Sequence, residues 1–234
     1  MTADFAARIR ALRRRAVAVT VGVAIAAGVM GYVLSRPPAW WNPPSRVDPV
    51  AVVAGEKLEN ACVTEVHRVR PRGESWAVRV RDDDVNAWIA TRLPKWLEHS
   101  GTVDAPQAMV RFRPDRIEIG ARVEGVPSVS VLRCSPRMEN GRLRLDGLRT
   151  RLGDLPLPFV HGILTRELAA ALESPDAPDE LRALAALLAG EAAAPRFSLG
   201  DGRIVELRNI EVDEGELRLE FVTELEGGIP GPRR

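Results

Sequence analysis

The sequence predicts an α+β protein, with an N-terminal transmembrane helix followed by one domain in which a long curved antiparallel sheet packs on helices. Three observations predict it. An uncharged run, Ala16 to Leu34, follows an arginine-rich start. From Ser75 onward, short runs of alternating apolar and polar residues are separated by Gly, Pro and Asn turn signals. Before and between these runs lie stretches whose apolar residues recur at three- and four-residue spacing.

The first fifteen residues, with Arg8, Arg10, Arg13, Arg14 and Arg15, read as a cytoplasmic stub. The run over 16–34 is long enough to span about 28 Å as a helix, close to the hydrocarbon thickness of a bilayer. The positive-inside bias then keeps the N-terminus in the cytoplasm, with Arg13, Arg14 and Arg15 at the boundary. Trp40 and Trp41 follow the run and suit the headgroup level of the far side. Ala24-Ile25-Ala26 has the small-x-small form of a signal-peptide cleavage site, which is the competing reading. The apolar run continues to Leu34, well past that triplet, and this favours a retained anchor. The expected location is the inner (plasma) membrane, with the C-terminal domain extracytoplasmic and the bilayer as its first partner.

Residues 35–48 carry Pro37, Pro38, Pro43 and Pro44 with the two tryptophans, and read as a stiff extended tether. The domain is expected over 49–225. Asp48-Pro49 offers an N-cap and a first-turn proline, and Val50, Val53, Ala54, Leu58 and Ala61 continue at helical spacing to about Val63. Ser75–Arg81 alternates as a strand. Asp82, Asp83 and Asp84 stop it and supply the cap of a second helix, which buries Val85, Trp88, Ile89 and Leu93. That helix restarts after Pro94 with Trp96 and Leu97.

An antiparallel meander follows. Ala108, Val110 and Phe112 alternate with Arg111 and Arg113, and Ile117, Ile119 and Ala121 with Arg116, Glu118 and Arg122. Val129 and Val131 continue the pattern, and Asn140-Gly141 marks a hairpin into Leu143 and Leu145. One face of this sheet is apolar and the other charged, so the apolar face needs a cover. Helices over 159–173 and 179–190 offer one. The chain closes with strands near 197–199, 204–207, 210–212 and 217–222, and a Gly/Pro/Arg-rich tail over 226–234.

Composition bounds the function. The chain carries +1 overall and the stub +4 of that, leaving −3 for the remainder. A domain so balanced lacks the bulk positive field of a nucleic-acid binder, so no nucleic-acid partner is expected. Cys62 and Cys134 either pair, closing a long loop, or sit apart as buried thiols. His67, His99 and His161 are isolated, and zinc-ligand spacings, nucleophile elbows and glycine-rich phosphate loops are absent. The aspartate run is explained by a helix start without a metal. The reading is therefore non-enzymatic, with no cofactor, metal or catalytic residue assigned.

One stripe is open to a functional reading. Trp88, Ile89, Leu93, Trp96 and Leu97 lie on one side of the second helix and either pack as core or line a groove for an acyl chain. Asp83-Asp84-Val85-Asn86-Ala87-Trp88 after a strand, and Gly153-Asp154-Leu155-Pro156-Leu157-Pro158 after a meander, resemble segments of bacterial single-pass membrane-anchored envelope proteins. The outer domain of those proteins is similar to the tubular lipid-binding (TULIP-like) superfamily. That resemblance implies a curved sheet wrapping a helix around an apolar tunnel, a lipid ligand, and no catalytic residues. Two functions follow as expectations. One is lipid binding through an apolar groove between sheet and helices. The other is a non-enzymatic scaffold or interaction subunit of a cell-envelope complex, with an envelope protein as partner.

Overall fold

Asp48 caps the helix α1 (Pro49–His67) by accepting the Val50 amide at 3.0 Å, and Pro49 fills the first turn, where no N–H is needed. The computed structural model of the chain describes residues 28, 31–32, 35–99, 107–122, 128–152, 155–156, 186–199 and 201–225. α1 runs past the expected Val63 because its C-terminus is closed from elsewhere. Arg203, only 7 % exposed, donates to the carbonyls of His67 and Arg68 at 3.3 and 2.7 Å. Arg70 lies over the Trp76 ring at 4.0 Å and pairs with Glu65.

β1 (Ser75–Arg81) passes directly into α2 (Asp82–Thr91). The expected aspartate cap is not made. Arg81 occupies the cap position, and Asp82, Asp83 and Asp84 form the first turn, where their charge suits the helix dipole. Arg92 breaks the helix before α3 (Leu93–His99), consistent with the clash that Pro94 imposes on the preceding turn.

The strands form two antiparallel sheets, which corrects the expectation of one long curved sheet. The meander β2 (Gln107–Arg113), β3 (Arg116–Arg122), β4 (Ser130–Glu139), β5 (Arg142–Leu152) and β6 (Leu155–Pro156) pairs in sequence order. The second sheet has the order β1-β9-β8-β7, from β7 (Arg196–Ser198), β8 (Arg203–Asp213) and β9 (Glu216–Leu225). The sheets do not merge because α2 occupies the free edge of β2. Asn86 donates to the Val110 carbonyl at 2.9 Å and accepts its amide at 2.7 Å, while Asp82 accepts the Phe112 amide at 3.3 Å. Residues four apart on the helix thus satisfy residues two apart on an edge strand, and the edge is closed to further pairing.

The turns of the two sheets interlock instead. Asp115 donates to the Val212 carbonyl at 2.9 Å, Gly215 to Phe112 at 3.2 Å, and Asp82 to Gly215 at 3.1 Å. β8 is one strand with an irregularity between Leu207 and Asn209, where two separate strands were expected. Asn140 and Gly141 both have positive φ, as the predicted tight hairpin requires. In the four-stranded sheet, Trp76 stacks on Phe221 at 4.7 Å and donates to Thr223 at 3.0 Å, beside buried Val205 and Leu207.

Residues 28, 31, 32 and 35 are helical, and the rest of the 16–34 run, with Arg13, Arg14 and Arg15, lies outside the described residues. No helix among the described residues is long and apolar enough to cross a membrane. The helix read over 159–173 and the tail over 226–234 also lie outside, as does most of that over 179–190, of which 186–188 are helical.

Candidate functional site

The site builds up from the crossing of α1 and α2 and from the segment that precedes α1. The two helices touch at Gly55, where an added Cβ would come within 2.6 Å of Thr91 Oγ1 and 3.1 Å of the Ala87 carbonyl oxygen. That close approach brings Glu59 of α1 onto the tryptophan stripe of α2 and α3. Glu59 accepts from Arg92 at 2.7 and 3.2 Å and from Trp88 Nε1 at 3.3 Å, and Trp96 also hydrogen-bonds to it. The Arg92 guanidinium holds the Glu59 carboxyl below the usual carboxylate range.

The stripe predicted from sequence is thus placed in part around a carboxylate. Trp88, Ile89 and Leu93 are half-buried and Trp96 is 58 % exposed, while the Leu97 side chain lies outside the described residues. A cleft of about 240 Å³ opens between Asn42, Pro44, Asp48, Asp83 and Met109, and one of about 370 Å³ between Arg137, Met138, Asn209 and Glu211. Neither is lined by a residue of the stripe.

Residues 35–48 are not extended throughout. Trp41 donates to Pro38 at 2.8 Å and Asp48 to Ser45 at 3.2 Å, making two turns. These turns lay both tryptophans on β3. A Cβ at Gly120 would meet Trp41 at 2.6 Å and Trp40 at 3.0 Å, so only glycine admits the two rings in this position. Arg122 faces the Trp41 ring at 5.7 Å.

The sheet face they cover is the one the sequence marks as charged. Cross-strand partners share a face, which defines four rows. Arg111, Glu118, Arg133 and Arg149 form one, and Met109, Gly120, Val131 and Arg151 the next. Arg113 pairs with Arg116 on one side and Gln107 with Arg122 on the other. These four rows hold seven arginines and one carboxylate, Glu118, which is 4 % exposed and paired with Arg133, and the same face continues along β4 and β5 into the pairs Arg137–Asp146 and Arg144–Glu139. Arg122 Nε and Arg133 Nε are buried there without a hydrogen-bond partner among the described residues. The polar face of the other sheet likewise carries opposite-charge pairs, such as Arg79–Glu216, Arg218–Glu220 and Arg208–Glu224.

Sequence reasoning assigned none of Glu59, Gly120 or Asn86 to these roles. Asn86 was explained by local backbone bonding, whereas its partners are in β2. Cys62 and Cys134 are both free and sit apart, Cys134 buried and Cys62 only half-buried, and burial pushes the Cys134 thiol up to about 11. No group of three metal-ligating side chains occurs among the described residues. No family model matches the chain, and no curated protein matches it either.

Proposed function

We propose that the protein is a membrane-anchored, extracytoplasmic, non-enzymatic interaction module that holds a two-sheet domain in a set orientation at the membrane surface. The observation that carries this reading is the seating of Trp40 and Trp41 on Gly120. A flexible linker would let the domain tumble, whereas a linker packed on the sheet couples the direction of the anchor to the domain. A scaffold needs such coupling in order to present one surface to partners.

Three further features support the reading. α1 forms a strut from the tether to the four-stranded sheet, fixed at one end by Asp48 and at the other by Arg203. Val47, just before α1, and Val50 and Val53 within it are 84, 76 and 65 % exposed among the described residues, an apolar surface suited to a protein contact. The polar closure of Glu59 by Arg92, Trp88 and Trp96 favours an interaction role over an acyl-chain groove at the tryptophan stripe.

The test is photo-crosslinking in the source cell from a probe at Val53, with a probe at the solvent-facing Arg79 as control, paired with native mass spectrometry of the full chain. The expected result is a discrete protein adduct from Val53 alone and no stoichiometric lipid retained after detergent exchange. A retained lipid that is lost on Trp88→Ala, without any Val53-specific adduct, would return the protein to the lipid-binding reading.

A further inference from the structure

We infer that the cleft between the tether, α1 and α2 receives an arginine or lysine side chain from an apolar segment of a partner protein. This rests on the interaction-module reading above and names the chemistry of the partner. Shape points to a single inserted side chain. α1 and α2 approach through small residues, with Gly55 against Ala87 and Thr91, and beside that crossing lies the cleft of about 240 Å³ floored by Ala51, Ala54 and Ala87. Its volume is below the roughly 300–1,000 Å³ of small-molecule sites. A floor of alanine methyls accepts the aliphatic stem of a long side chain, whose charged head stays at the rim. Asn42 and Pro44 of the tether supply one wall, and they directly follow the tryptophans seated on Gly120. The seated tether therefore also completes the cleft.

The charge of the head is set by the rim. Asp48, Asp83 and Asp84 line the cleft, and no basic residue does. Asp48 gives one oxygen to the Val50 amide, while Asp83 and Asp84 make no ion pair among the described residues. Arg46, the basic residue nearest in sequence to Asp48, has a partner of its own and does not line the cleft. The N-termini of α1 and α2 both meet here, each equivalent to about half a positive charge. Against three carboxylates they still leave the cleft about two charges negative.

The surroundings point to a protein. Val50 lines the cleft, and with Val47 and Val53 it is exposed. A basic residue flanked by apolar ones answers both features, the ion pair giving specificity and the valines a buried apolar contact. A small polyamine would leave the valines uncovered, and an anionic lipid headgroup would be repelled by the same carboxylates.

The test is photo-crosslinking of the full chain in the source cell from a probe at Val50, with the captured segment sequenced by mass spectrometry. The expected adduct is one protein segment that holds an arginine or lysine within about four residues of the attachment point, one helical turn. Its yield should fall several-fold in D83N/D84N, since each pair at this exposure is worth a few-fold at most. Thermal unfolding of the purified variant checks its fold, and Asp83→Asn alone, at an exposed position, carries the test if the pair proves unstable. D83K/D84K should abolish the adduct, and exchanging the captured basic residue for glutamate should then restore it.

A Val50 adduct at full yield in D83N/D84N, a captured segment without a basic residue, or a lipid adduct would overturn the inference. A Val53 adduct that persists beside any of these would leave the interaction role standing. No protein adduct from either Val50 or Val53 would overturn the interaction role and this inference with it.

Discussion

Asn86→Ala removes both hydrogen bonds that close the β2 edge and leaves the Val110 amide and carbonyl without their partners. Asn86 is 2 % exposed, and a buried polar group left unpaired costs about 1–3 kcal/mol. Val110 is half-buried, so water restores part of the loss, and the expected destabilisation is about 2–3 kcal/mol for the pair. At this chain size each kcal/mol lowers the melting temperature by about 2–4 °C, which gives a fall of about 4–12 °C. The assay is thermal unfolding of the full chain in detergent, together with hydrogen exchange of the Val110 amide. Asn86→Asp keeps the acceptor for that amide but sets a carboxylate oxygen against the Val110 carbonyl, so it should still protect the amide while losing stability. A loss below about 0.5 kcal/mol in Asn86→Ala, within the range of ordinary surface changes, would refute the reasoning. So would unchanged exchange at Val110.

Other consequences follow from the same contacts. The folded pKa of Glu59 lies below its unfolded value of 4.5, so its pairing with Arg92 contributes fully above that value and is lost as pH falls through the folded pKa. Protection of the α1 and α2 amides, taken relative to the intrinsic exchange rate at each pH, should therefore fall on acidification below about pH 4.5, and Glu59→Gln should abolish that acid-specific loss. Cys134, pushed up to about 11 by burial, should resist alkylation in the native chain at pH 8 while Cys62 reacts faster. In denaturant without reductant, mass spectrometry should find both thiols alkylated, and a mass showing a disulfide would contradict the free cysteines.

Much of the architecture was legible in the sequence because periodicity reports which face of each element is apolar. α1, β1 and the Asn140-Gly141 hairpin fall where spacing and turn chemistry place them. The division into two sheets was not legible, since nothing local says that β1 pairs with β9, more than a hundred residues away, or that α2 seals β2. Proline content marked residues 35–48 as stiff, but only the missing side chain of Gly120 admits the tryptophans, and a glycine within a strand pattern is a weak signal. Alternation also marked the arginines as solvent-facing. It could not report which arginine meets which carboxylate across strands, such as Arg133 with Glu118, because that depends on strand register. The stripe of Trp88 and Trp96 read as apolar, yet each indole also carries a donor, and both donors find Glu59.

The seated tether is the claim on which orientation and interaction role both depend. The direct measurement is the distance distribution between spin labels at Ala39→Cys and Glu139→Cys, by pulsed electron resonance on the full chain in lipid discs in a Cys62→Ala background. A tether packed on Gly120 predicts one narrow distance that broadens in Gly120→Val, whose Cβ would enter the space of the Trp41 ring. A broad distribution in the unmodified sheet, unchanged by Gly120→Val, would show that the tether swings freely and would contradict the account.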